Sequence, residues 1–131
     1  MDSLKEWTIN FVKHKDIFAK KLKEYEEKKD QIVFHFKDNN KIFLVKPLLD
    51  EETFGFLKED FSRAIVCSAD RKNLKFLIDN WDKFKDAKSF TLIFANPETN
   101  AKWLLNPKTH NDICDEESLV QGLESMYENN F

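Results

Sequence analysis

Glycine is nearly missing from this chain, with two in 131 residues, and proline occurs only three times. A Walker-type phosphate loop or a glycine-rich dinucleotide turn needs closely spaced glycines, so the two commonest nucleotide-binding devices are excluded. The same shortage leaves little material for long flexible linkers. Arginine is as scarce, with two against nineteen lysines, which removes most of the bidentate readers of phosphate and base edges. Two cysteines and three histidines form neither a Cys-Xaa-Xaa-Cys nor a His-Glu-Xaa-Xaa-His pattern. Long apolar runs are missing too, and Asp2, Lys5 and Glu6 break up any apolar leader at the start. A soluble cytoplasmic protein with reduced thiols, no membrane segment and no cofactor is the expectation from these absences.

Aromatic residues are plentiful. Thirteen phenylalanines and three tryptophans within a 41% hydrophobic composition are enough for one core, so residues 1–131 are expected to form a single domain. The net charge of −3 is unevenly spread. Residues 111–131 carry six acidic and no basic side chains, a local charge of −6 that leaves +3 on residues 1–110. An acidic end can steer a basic partner or keep the domain in solution, and the mildly positive body is not the basic stripe of a nucleic-acid binder. Nucleic acid is therefore disfavoured as a partner.

Leu4, Trp7, Phe11, Phe18, Leu22 and Tyr25 recur at steps of three, four and seven, which predicts one N-terminal amphipathic helix within residues 1–29, capped by Asp2 or Ser3. A mixed-sheet core should fill residues 30–131. Gln31 to Lys37 and Lys41 to Lys46 read as a hairpin around Asp38-Asn39-Asn40, and Asp50 should cap a short helix reaching about Asp60 and burying Phe61. The apolar run Ala64-Ile65-Val66-Cys67 suits a central strand covered on both faces. A helix from Ser68 or Asp70 carrying Leu74, Leu77, Ile78, Trp81 and Phe84 leads to a strand at Ser89 to Ala95, a spacing that predicts a parallel crossover. Lys102 to Leu105 returns as a strand, and Leu119, Val120, Leu123, Met126 and Tyr127 mark a last, acidic helix. The expected fold is α/β or α+β: helix, two strands, helix, strand, helix, two strands, helix, around a mixed sheet of about five strands.

One short pattern occurs twice. Ile42 to Pro47 leads to Asp50-Glu51-Glu52-Thr53-Phe54, and Lys102 to Pro107 leads to Asp115-Glu116-Glu117-Ser118-Leu119. Strand termination at proline and helix capping by Asp explain both copies, so the pattern specifies architecture rather than chemistry.

Candidate sites follow from topology. Two parallel strands at 64–68 and 89–95 would share a carboxyl edge presenting Ser68, Asp70, Arg71 and Asn96, the edge at which open α/β sheets hold ligands. A thinner set, Cys67, His110 and Cys114 with Asp112 nearby, has one helical-turn spacing suited to a metal but no second Cys/His pair; no metal is expected. Trp7, Phe11 and Phe18 are the interface candidates, with Trp7 the one expected to be partly exposed and the rest of the stripe mostly core.

A helix followed by hairpins and a crossover resembles the core of restriction-endonuclease-like nucleases, which hold metal with an Asp and a Glu/Asp-Xaa-Lys tripeptide on the next strand. That tripeptide is absent from Thr91-Leu92-Ile93-Phe94 and from Trp103-Leu104-Leu105, so the resemblance implies a fold and transfers no active site. The expected function is a non-catalytic protein-interaction or self-associating module, with a homodimer among its forms. The alternative is a small-ligand or phosphoester-processing domain at the carboxyl edge, including a degenerate nuclease-like fold that binds nucleic acid.

Overall fold

The computed structural model describes residues 3–59, 62–88 and 90–131. Asp2, Asp60, Phe61 and Ser89, expected at helix and strand ends, lie outside them. The elements are α1 (Ser3–Lys15), β1 (Leu22–Glu27), β2 (Gln31–Phe36), β3 (Asn40–Val45), α2 (Glu52–Leu57), β4 (Arg63–Ser68), α3 (Arg71–Asp79), α4 (Trp81–Asp86), β5 (Thr91–Asn96), β6 (Ala101–Leu105), α5 (Pro107–Ile113), a 3-10 turn (Glu116–Ser118) and α6 (Leu119–Asn130). The mixed sheet has six strands in sequence order, one more than expected. β3, β4 and β5 are parallel and the flanking pairs antiparallel, so the crossover from β4 to β5 is the parallel one predicted.

The extra strand corrects the long N-terminal helix. α1 stops at Lys15, and Asp16 folds the chain back by accepting the Lys21 and Leu22 amides at 3.0 and 2.9 Å. Lys20 takes a left-handed φ of 51° in that turn. Leu22 and Tyr25 then belong to β1. They lie three apart, a helical spacing, yet both pack on the α1 side of the sheet because the β1/β2 register slips between Leu22 and Glu24. A bulge in a strand thus imitates helical periodicity. Phe18, left in the turn, is 96% exposed rather than core.

β4 is buried along nearly its whole length, with Ala64 and Val66 on the α1 face and Ile65 and Cys67 on the other. Residues of α2, α3, α4 and α6 pack on that second face with Leu92, Phe94, Trp103 and Leu105. α5 packs on α4. The helix expected from Asp70 to Phe84 is two, broken at Asn80, whose side-chain amide donates to the Phe76 carbonyl at 2.9 Å and competes with the helical ladder. Pro107 begins α5 rather than merely ending β6, capped by Asn106, and so splits the second copy of the repeated pattern. Asp50 accepts the Glu52 amide at the start of α2, whereas Asp115 accepts the Glu117 amide of the 3-10 turn and α6 itself has no side-chain cap.

β1 is an edge strand exposed at all but Leu22 and Tyr25, tied to β2 by Glu26 and His35 at 2.7 Å, with Asn40 on the other imidazole nitrogen at 3.1 Å. The hydrogen bond His35 donates to the Glu26 carboxylate raises the His35 pKa, and the same bond lowers that of Glu26. The pair therefore supports folding while both groups are charged. Its contribution fades as pH falls through the folded Glu26 pKa and as pH rises through the folded His35 pKa. Glu26→Gln is expected to bring the His35 pKa down toward the ordinary imidazole value, read by NMR titration of the ring protons.

Candidate functional site

The four carboxyl-edge residues do meet at one edge of the parallel strands. Each is engaged by its neighbours. Asp70 caps α3 by accepting the Lys72 amide at 2.8 Å, which occupies one of the amides an anion would use. Arg71 turns toward α6, 3.3 Å from Glu128 and 5.4 Å above the Tyr127 ring. Asn96 accepts the Glu98 amide at 3.0 Å and shapes the turn into β6. Ser68 donates its amide to Pro47 at 3.2 Å.

A residue not singled out in the sequence closes this crevice. Asn73 is 1% exposed; its carbonyl accepts the Leu49 amide at 2.8 Å while its amide donates to the carbonyls of Pro47 at 2.8 Å and Ser68 at 2.9 Å. One side chain thereby fastens the loop after β3, the end of β4 and the start of α3. Beside it Lys46 is held by Asp50 at 2.9 Å and Glu52 at 3.2 Å, so the acids of the first repeated copy serve an ion pair.

Among the described residues no group of three His, Cys, Asp or Glu is placed to hold a metal. Cys67 is fully buried, and burial first, with Asp70 adding, pushes its thiol well above the ordinary value. Cys114 lies half-buried after α5, and its thiol meets the Asp115 carbonyl at 3.5 Å. His110 stands edge-on to Trp81, and burial lowers its pKa.

The interface candidates separate. Trp7, expected to be partly exposed, is only 7% exposed: it stacks on Phe11 at 5.0 Å and donates its indole N–H to Asn100 at 2.8 Å, anchoring α1 to the β5–β6 turn. Asn100 takes a left-handed φ of 62° there. Phe11 is half-buried and Phe18 projects outward.

The sheet faces differ in cover. α1 crosses β3 and β4; on its side β5 is still buried at Ile93 and Ala95, while β6 leaves Leu104 exposed and Lys102 half-buried. A groove of about 720 Å³ lies there between α1 and β6, bordered by Phe11, His14, Lys15, Lys102 and Leu104, the last 41% exposed. At the foot of α1 it adjoins a cavity of about 220 Å³ floored by Phe43, Ala64 and Ile93. Ala64 is the second residue of β4 and Thr91 the first of β5, so this cavity sits at the amino edge, opposite the edge the topology favours.

Lys41 lines the cavity from an inward position of β3, two residues before Phe43 and four before Val45. Burial lowers its pKa, and Lys15 adds to the effect. A lysine in phase with buried strand residues is a readable signal; without the position of α1 it points to no partner. Compared with known proteins, the chain matches no family model, and no curated protein is detectably similar to it.

Proposed function

We propose that this chain is a non-catalytic protein-interaction module of the cytoplasm whose recognition surface is the groove between α1 and β6. The observation that supports it is the groove between α1 and β6, where Leu104 stays exposed on one face, while the other face is packed by several helices. Phe11 and Leu104 offer apolar contact, and Lys15, Lys102 and His14 border it. An amphipathic helix of a partner protein, apolar toward Leu104 and acidic at its margins, has the matching charge.

The test is co-purification from the native host with wild type, Leu104→Glu and a control, Glu124→Arg, on the opposite face. Leu104 is already partly exposed, so the charge should leave folding within about 0.5 kcal/mol of wild type. Wild type and Glu124→Arg should retain a partner that Leu104→Glu loses. Equal retention by all three would refute docking at this groove. A concentration-dependent dimer lost only in Leu104→Glu would put a second copy of the chain there instead.

A further inference from the structure

We infer that the 220 Å³ cavity at the foot of α1 binds a small organic anion with an apolar body, of the class of short acyl or arylalkyl carboxylates. Its wall is mostly hydrocarbon: Phe11 and Val12 from α1, and Phe36, Phe43, Ile93 and Leu104 from the sheet. An apolar cavity of about 150 Å³ is known to accept benzene, so this one has room for a single ring or a short chain. Few polar groups interrupt the wall, as in ordinary small-molecule sites.

Those polar groups favour an anion. Lys15 and Lys41 both line the cavity, and their ammonium groups lie over aromatic rings, Lys15 at 5.4 Å from the centre of Phe11 and Lys41 at 5.6 Å from that of Phe43. Asp16 also lines it, but its two oxygens accept the Lys21 and Leu22 amides of the turn into β1. The carboxylate that would otherwise serve the lysines is committed to the backbone. Partial burial of Lys41 disfavours its charge, and the like charge of Lys15 adds to the effect, so its pKa is lowered. A bound carboxylate would relieve both, with Thr91, in phase with Ile93 on β5, presenting a hydroxyl on the same wall. Lysines suit a single negative charge, whereas the bidentate recognition typical of phosphate sites favours arginine.

This ligand site shares Phe11, Lys15 and Leu104 with the docking groove but does not rest on it, because binding is measured on the isolated full chain. The experiment is a titration of backbone amide NMR shifts with hexanoate and 4-phenylbutyrate, with 1-hexanol and inorganic phosphate as the neutral-body and bare-anion controls. Saturable shifts are expected at Lys41, Ala64, Thr91 and Ile93, with binding weakened at least tenfold for hexanol and for phosphate. Lys41→Met should weaken hexanoate at least tenfold. Lys15→Met, at an exposed position where the fold should stay close to wild type, should weaken it severalfold. Equal binding of hexanol and hexanoate, equal binding by both lysine variants and wild type, or shifts elsewhere in the chain would each overturn the assignment.

Discussion

Trp7→Ala is expected to destabilise the fold by roughly 3–5 kcal/mol, the usual cost of removing a buried large aromatic side chain. The ring is buried against Phe11 and ties α1 to the β5–β6 turn through Asn100. Of the described helices, α1 is the one that covers Ile32, Phe34, Phe43 and Val66 on its face of the sheet, so loosening it wets that whole cluster. Trp7→Phe separates the two contributions. It keeps a ring to stack on Phe11 and loses the indole hydrogen bond, for a cost of roughly 1–2 kcal/mol. Urea unfolding of both variants measures the difference. A Trp7→Ala variant as stable as wild type but impaired in association would mean that the residue is an interface anchor.

Asn73→Ala should cost roughly 2–4 kcal/mol, from three hydrogen bonds lost in one step. The buried Leu49 amide loses its acceptor, and the carbonyls of Pro47 and Ser68 lose a donor they share. Since Pro47 is exposed, water can recover part of the loss at that carbonyl, which sets the lower end of the range. Asn73→Asp should be no better than Ala: it keeps an acceptor for Leu49 but turns a negative charge on two carbonyl oxygens. Both variants should lower the urea midpoint with an unchanged slope. Near-wild-type stability in both would show that the carboxyl edge is not held by this side chain.

The sheet centre is legible in the sequence because burial on both faces leaves a continuous apolar run, as at Ala64 to Cys67. The parallel pairing of β4 and β5 follows from the intervening helix length. β1 is not legible: an edge strand needs little apolar surface, and its two inward residues are set three apart by a bulge. The split at Asn80 and the helix begun by Pro107 depend on local side-chain bonds that compete with periodicity. At the site level, Ser68, Asp70, Arg71 and Asn96 lie toward the carboxyl ends of β4 and β5, but the sequence does not reveal Asn73, whose three partners come from two other segments, the loop after β3 and the end of β4. Nor does it reveal the open groove, because that depends on how far one helix reaches across six strands.

Recognition beside α1 rather than at the carboxyl edge is tested most directly by hydrogen exchange on the complex with a co-purified partner. New protection should fall on the second half of α1 and on β6 around Lys102 to Leu105, with residues 68–71 and 96 unchanged. Protection centred on residues 68–71 and 96, with β6 exchanging as in the free chain, would contradict it.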